Sequence, residues 1–500
     1  MTGAWLPLAI LGTSLLLAPV LFLLNEERVR LRTALNLAAA ALKLALVAYL
    51  AWQVAWEGAV FEARLPLLPG TDLVLRADPL GLLFVSLSAG LWLLTTVYAV
   101  GYLEGSPNRS RFFGFFSLCV ASTVGIAMAG NLLTFLIFYE ALTLATYPLV
   151  VHRETAAARR GGRIYLAYTL AGGAAVLAGT AWLAAAAGSL DFVAGGLPAL
   201  AALPPATATG IFVLLVGGMA VKAAMVPVHG WLPVAMVAPA PVSALLHAVA
   251  VVKAGAFGIV RVVYEIFGTE RTAGLGLATP LAVLAAVTII YGSLRALQQD
   301  DLKKRLAYST VSQVSYVVLG TAIASPLATV GGLAHLIHQG LMKITLFMCA
   351  GNIAETLGHH KVSELDGVGR RMPWTAAAFT VAALGMIGVP PLAGFVSKWY
   401  LAAGGWQAGQ GWVVPVLLAS SALNAAYFLP ILRRLWFAPL PAGAEAGRSD
   451  AGPLLLLPPL TTAALVAAVG VFAAAPFSPH AWVRFVMGQE LPGWAEGGTP

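Results

Sequence analysis

The chain has 500 residues, 59% of them apolar and only 10% charged, with a formal net charge of +8. Soluble domains carry roughly 25% charged residues, so this composition excludes a string of soluble domains. The basic residues lie in loops between apolar segments without interleaved aromatics, which argues against a nucleic-acid surface.

A bilayer core takes about 20 apolar residues per helix, and such stretches recur from end to end. The first, 4–24, lacks a basic leader region and is long enough to span, so it reads as a helix rather than a cleaved signal. It is followed by 34–54, 80–103, 112–130, 131–151, 164–187, 209–228, 242–266, 276–298, 304–324, 327–355, 375–400, 412–436 and 454–476. The expected fold class is all-α, a polytopic membrane protein of about fourteen transmembrane helices embedded in a lipid bilayer. Clusters of glycine, proline and charge at 25–32, 104–111, 152–163, 298–304, 359–371 and 439–453 mark the larger breaks. Cys119 and Cys349 both sit inside these apolar stretches, with no CxxC pair and no metal-spaced Cys/His set, so no metal, haem, iron–sulfur cluster or other cofactor is expected.

The loops after odd-numbered helices hold Arg28, Arg30, Arg32, Arg109, Arg111, Arg153, Arg159, Arg160, Arg163, Arg295, Lys303, Lys304, Arg305, Lys361, Arg370, Arg371, Arg433, Arg434 and Arg448, which is 19 of the 29 lysines and arginines. The other side has Arg64, Arg76, Arg261, Arg271 and Arg484. Positive charge favours the cytoplasmic side, so both termini are expected to face outward.

Subtracting the loop residues leaves Lys43, Lys222, Lys253, Lys343 and Lys398 inside apolar stretches, together with Glu140. A lysine at a helix centre costs about 2.5–3.5 kcal/mol on insertion scales, so five unpaired ones would cost on the order of 10–15 kcal/mol. Function or pairing must hold them there. Glu140 lies mid-helix in NLLTFLIFYEALTLATYPLV, and Lys222 lies five residues before Pro227, with Pro233 beyond it. A proline removes a backbone hydrogen bond and clashes with the preceding turn, so the helix is expected to break here. Such breaks persist in membranes where they line a hydrated cavity or are covered by protein. Glu140 and Lys222 can then act as a switch: the lysine keeps its proton when they approach and releases it when they part.

Lys253 sits near the middle of PVSALLHAVAVVKAGAFGIVR, and His335, Gln339 and Lys343 follow at i, i+4 and i+8, with His338 beside them. That spacing makes one polar ladder on a helix face, which suits a proton relay. Lys398 follows another break, at Pro390 and Pro391. The segments around Lys222 and Lys398 share Gly-Met, then Val-Pro, then a nearby lysine, which suggests that the five-helix blocks 112–266 and 276–436 are inverted repeats. The remaining parts are an N-terminal region 1–111 of three helices and a last helix with its tail, 454–500. Lys43 is expected to be structural, snorkelling or pairing with a partner chain.

NLLTFLIFYEALTLATYPLV, KAAMVPVHGWLPVAMVAPAPVSALLHAVAVVKAG, QQDDLKKRLAYSTVSQVSYVVLG, AHLIHQGLMKITLFM and GMIGVPPLAGFVSKWYL resemble the antiporter-like subunits of respiratory complex I and of Mrp-type cation/proton antiporters. HAVAVVKAG and GFVSKWYL are most similar to the D-type subunit of Mrp antiporters. The resemblance covers about residues 75–440. It implies a fourteen-helix fold with two inverted five-helix repeats, discontinuous seventh and twelfth helices, and assembly with other membrane subunits. It further implies that Glu140 pairs with Lys222, that Lys253 bridges two half-channels, that His335 and Lys343 are polar positions of the eleventh helix, and that Lys398 lies on the outward exit path. The sequence departs from the family at Val234, where an acidic residue often follows WLP, and Lys43 matches no family role.

The expected function is that of a proton-translocating subunit of a multisubunit sodium (or other monovalent cation)/proton antiporter in a prokaryotic plasma membrane. A proton-pumping subunit of an NADH:quinone oxidoreductase or a membrane hydrogenase is the alternative. Nothing in the chain binds NADH, flavin or a cluster, so redox chemistry would belong to companion subunits. An uptake system for bicarbonate or another solute is a third reading. An inert scaffold fits badly with so many buried charges.

Overall fold

The computed structural model describes residues 5–68, 70–441 and 447–490. Ala4 and the tail 491–500, both within expected segments, lie outside these residues. Among the described residues, thirteen helices are long and apolar enough to cross a membrane. They are α1 (Trp5–Leu23), α2 (Val29–Trp56), α3 (Pro79–Tyr102), α4 (Arg109–Ala127), α5 (Leu132–Val150), α6 (Ala156–Ala187), α7 (Pro205–Lys222), α8 (Ala240–Phe267), α9 (Ala278–Leu297), α10 (Leu302–Ile323) and α11 (Pro326–Leu357), then Val413–Phe437 and Pro453–Val471. Between α11 and the last two, a broken span consists of α12 (Pro373–Ile387) and α13 (Ala393–Gln407). The last two spans are therefore α14 and α15, and a short helix α16 (Pro479–Glu490) closes the chain. The protein is an all-α, multi-pass membrane protein.

Side-chain caps start many of these helices. Asp78 accepts from Gly81 N at α3, Asn131 from Thr134 N at α5, Thr155 from Ala158 N at α6, Asp301 from Lys304 N at α10 and Ser325 from Ala328 N at α11. Each satisfies one of the orphan amides of a first turn, where no water is needed to do it. The cap at Thr155 corrects the expected loop 152–163: α6 begins at Ala156, so Arg159, Arg160 and Arg163 ride on its opening turns.

Burial separates centre from rim. The apolar windows of α8 and α11 are wholly buried within the chain, whereas that of α2 is 28% buried. α11 is the hub, packed against α8, α10, α12, α13 and α15, while α9 pairs with α10 and α6 with α7. A helix that is apolar all round and surrounded by protein is a core helix, and Lys253 and Lys343 sit on these two.

Three expected spans are interrupted. The expected helix 209–228 stops at Lys222, and the chain passes through Ala224 at φ +55° before a short helical turn at Trp231–Val234. The expected helix 242–266 loses its regular path at Val249–Ala250 and ends in a wider turn at Val262–Phe267. The expected helix 375–400 is split between Ile387 and Ala393. Two elements were not expected. An antiparallel hairpin, β1 (Glu62–Leu68) with β2 (Thr71–Arg76), joins α2 to α3, and Arg64 and Arg76 hold Glu62 at 2.5 and 2.6 Å. The hairpin is strapped to the α4–α5 turn by Arg76 N donating to Met128 O and Gly130 N to Val74 O. The other is α16, anchored by Trp482 Nε1 donating to Pro79 O at 3.0 Å.

The end of α7 is held by close approach of α8. A β-carbon at Gly255 would run into the Ala223 nitrogen and the Lys222 carbonyl carbon. Gly255→Ala is therefore expected to destabilise the purified protein by about 1–3 kcal/mol through overpacking. Gly274→Ala, where the added carbon meets nothing within 4 Å, serves as the control and should stay within about 0.5 kcal/mol. Thermal unfolding in detergent measures both, and equal midpoints would show that the α7–α8 contact yields freely.

Candidate functional site

Glu140 on α5 and Lys222, the last residue of α7, form an ion pair with Oε1 and Nζ 3.7 Å apart. Lys222 is fully buried, while the Glu140 side chain keeps 30% exposure with its Oε1 turned inward. The lysine also donates to Tyr139 O and lies 3.3 Å from the centre of the Tyr139 ring, which adds cation–π attraction. Gly173 of α6 makes room for the carboxylate, since any β-carbon there would collide with Glu140 Oε1. The broken end of α7 is kept satisfied by Trp231 Nε1 donating to Val221 O at 2.7 Å and Val226 N to Thr288 Oγ1 at 3.2 Å. Pro227 lies within this break and Pro233 inside the short turn after it.

Lys253 follows the irregular turn of α8 and donates to Leu336 O of α11 at 2.8 Å. On α11, His335 and Lys343 both turn toward α10. His335 Nε2 lies 3.1 Å from Gln313 Oε1 and its Nδ1 2.8 Å from Ser397 Oγ. Lys343 donates to Ser309 Oγ and, at 3.0 Å, to Leu306 O. His338, between them, is fully buried against the Ala393 main chain, and the Gln339 amide is unpaired among the described residues.

Lys398 reaches back across its break. Past Gly388 at φ +95°, with Pro390 and Pro391 in the gap, Nζ donates to Met386 O and Ile387 O at 2.9 Å each, and to Ser421 Oγ at 3.0 Å. These are the last carbonyls of α12, where a cation is favoured by both orphan acceptors and the helix dipole. Asn424 Nδ2 donates to the same Met386 O at 3.0 Å, and the Tyr427 hydroxyl donates to Asn424 Oδ1 at 2.5 Å and lies 3.0 Å from Ser309 Oγ. A continuous polar chain thus joins Lys343 to Lys398 through Ser309, Tyr427, Asn424 and Met386 O.

The structure thereby brings Glu140 to Lys222, His335 beside the Lys398 segment through Ser397, and Lys343 to Lys398 through α14. Lys253 meets α11 at the Leu336 carbonyl, and His338 lies against the Ala393 main chain at the start of α13. Sequence reasoning missed Tyr139, Ser309, Gln313, Tyr427 and Asn424. A readable signal existed for some of them: Asn424 is a polar residue in the middle of an apolar span, and Ser309 and Gln313 are one turn apart on α10. Of the roles expected for Lys43, structural, partner-pairing or snorkelling, the structure contradicts snorkelling. The lysine is fully buried inside the chain and donates to Ser14 Oγ at 2.6 Å.

The sequence matches a family profile described as NADH:quinone oxidoreductase/Mrp antiporter, TM, over residues 129–424, and one described as NADH-Ubiquinone oxidoreductase (complex I), chain 5 N-terminus, over residues 70–113. The NADH-quinone oxidoreductase subunit N of Desulforudis audaxviator is 37% identical over 81% of this chain and 82% of its own length. The A/B subunit of a probable K(+)/H(+) antiporter of Rhizobium meliloti is 35% identical over 68% of this chain and 34% of its own. Hydrogenase-4 component B of Escherichia coli is 33% identical over 67% and 51%, so the chain spans about a third to a half of these two relatives. The fold is shared with a chain of the Mrp complex from Dietzia sp. DQ12-45-1b, at a TM-score of 0.87 and 23% identity over 99% of this chain and 98% of that one. It is shared equally with a chain of the membrane-bound sulfane sulfur reductase, an archaeal respiratory membrane complex, at 0.86 and 22% over 97% of each. The chain belongs to the NADH:quinone oxidoreductase/Mrp antiporter family of membrane subunits.

Tyr427→Phe removes the hydroxyl that links Ser309 to Asn424 and leaves buried partners unpaired. A loss of about 1–3 kcal/mol in thermal stability is expected, against no measurable change for Tyr49→Phe on the exposed side of α2. Equal losses for the two would rule out a formed hydroxyl chain.

Proposed function

We propose that this member of the family is the proton-translocating membrane subunit of a multisubunit sodium (or other monovalent cation)/proton antiporter. Its proton path comprises Glu140, Lys222, Lys253, His335, His338, Lys343 and Lys398, and Pro227, Pro233, Pro390 and Pro391 mark the breaks that give the path its turns. The observation that carries this reading is the Glu140–Lys222 pair at the broken end of α7. Attraction between unit charges about 4 Å apart is worth about 4 kcal/mol at an effective dielectric constant of 20. Moving the carboxylate away therefore decides whether Lys222 keeps its proton. Once released, the proton can pass toward Lys253 and α11. There the Gln339 amide beside His338, unpaired among the described residues, marks where water would complete the relay. From Lys343 the hydroxyl and amide chain through Tyr427 and Asn424 leads to Lys398.

The blocks 112–266 and 276–436 act as inverted halves, supported by a lysine at the break of a span in each: Lys222 at the end of α7 and Lys398 after α12. Arginines crowding one set of loops support an orientation with both termini outside, and the bacterial relatives support a prokaryotic plasma membrane. Other membrane subunits and the bilayer are its partners.

A second reading, a redox-driven proton pump of the complex I type, is favoured by the even coverage of the subunit N relative. Inverted vesicles carrying the whole operon, without NADH, separate the two. Sodium-stimulated proton exchange is expected from wild type and a loss of about 10²–10⁴-fold, the scale of one positioned proton-transfer group, from assembled Lys222→Ala and Glu140→Ala. Normal exchange by either variant would remove that residue from the path. Exchange that begins only when NADH is added would assign the chain to the respiratory reading.

A further inference from the structure

Lys43 differs from the other buried lysines. Lys222, Lys253, Lys343 and Lys398 each donate to a main-chain carbonyl. The hydrogen bond recorded for Lys43 goes to a hydroxyl, Ser14 Oγ on α1, and its ammonium lies 4.5 Å from the centre of the Trp92 ring on α3. Its setting is short of partners. Ser88, Trp92 and Thr96 follow one another at i, i+4 and i+8 along α3, all fully buried, and Ser88 Oγ, Trp92 Nε1 and Thr96 Oγ1 have no hydrogen-bond partner among the described residues. Three successive unpaired polar atoms on one buried row of α3, the middle one on the ring that Lys43 meets, are too costly for a dry core, where buried polar groups are paired by protein or by ordered water.

The unpaired groups continue toward the arginine-rich loops. Asn36 lies seven residues before Lys43 on the buried stripe of α2, about 10.5 Å along the axis, and its Oδ1 is also unpaired. One turn further, Arg32 donates to Ser110 Oγ at the start of α4 at 3.0 Å. α2 and α4 are both entered from this side, and Ser117 stands seven residues on from Ser110, on the same face of α4. Its depth therefore falls between Asn36 and Lys43, and its hydroxyl too is buried and unpaired. The main row, by contrast, lies on α5, α7, α8, α11 and α13.

We propose that α1–α4 enclose a hydrated inlet running from the arginine-rich loop end past Asn36 and Ser117 to Lys43, Trp92 and Ser88. Lys43 is its charged terminus, a proton-holding site separate from the Glu140–Lys398 row. Water supplies the partners that the protein atoms lack, and the lysine's cost of burial falls accordingly.

Cysteine accessibility tests this without reference to transport, so its outcome is independent of the antiporter reading. Ser88→Cys, Thr96→Cys and Ser117→Cys are made singly in vesicles carrying the chain with its companion subunits. The wild type, whose two cysteines are buried, gives the background, and Val85→Cys, a buried apolar position on α3, is the dry control. Sulfonatoethyl and trimethylammonium-ethyl methanethiosulfonate serve as anionic and cationic probes. The three polar positions are expected to react at least about tenfold faster than Val85→Cys. Ser88→Cys should prefer the anionic probe, and Lys43→Met should abolish that preference. Rates no faster than the control at all three positions would overturn the inlet. Fast rates with a probe preference that Lys43→Met leaves intact would overturn Lys43 as its charged end.

Discussion

Every charge in this bundle has to be satisfied by the chain itself or by water admitted to it, because hydrocarbon offers no partner. The main-chain carbonyl is the answer used most. Tyr139 O, Leu336 O, Leu306 O and the paired Met386 and Ile387 carbonyls each receive a lysine ammonium. A carbonyl has two lone pairs, so one inside a helix can accept a lysine without leaving its own ladder. Carbonyls at a helix end are better still, being free and at the negative pole of the dipole. The placement of the lysines and the placement of the helix ends are therefore one arrangement.

This explains why the interruptions lie at the centre of the molecule. α8 and α11 are wholly enclosed, so an irregular backbone there is shielded from lipid. The break after α7 is closed by Trp231 and Thr288, and the gap after α12 by Lys398 and Asn424. Close-approach glycines complete the arrangement, with Gly255 against the end of α7 and Gly173 against the Glu140 carboxylate. Titratable groups are thus held on rigid scaffolding except where Glu140 meets Lys222. There one partner keeps partial exposure, and a 3.7 Å separation leaves room for movement.

The N-terminal helices obey the same constraint by different means. α2 lies at the rim, yet Lys43 turns inward to a hydroxyl and an indole face. Around it, Ser88, Thr96 and Ser117 hydroxyls, the Trp92 indole nitrogen and the Asn36 amide oxygen have no partner among the described residues. Such a setting calls for water where the central row relies on backbone.

Several features were legible in the residues alone. Runs of apolar side chains interrupted by arginine-rich loops determined an all-helical membrane protein, since a bilayer admits little else. The rarity of charge inside those runs singled out Glu140 and the five lysines, and prolines announced the breaks after Lys222 and before Lys398. Tertiary structure decided the rest. The irregular turn at Val249–Ala250 carries neither proline nor glycine, so nothing local announced it. Tyr427 and Asn424 became a link only when α14 packed between α10 and the α12 break. The inward course of Lys43 depended on Ser14, 29 residues away, and on Trp92 from a third helix. Hydropathy records the cost of each residue in lipid, which is a property of the residue. Which partner offsets that cost is a property of the packed bundle, and only long-range contact supplies it.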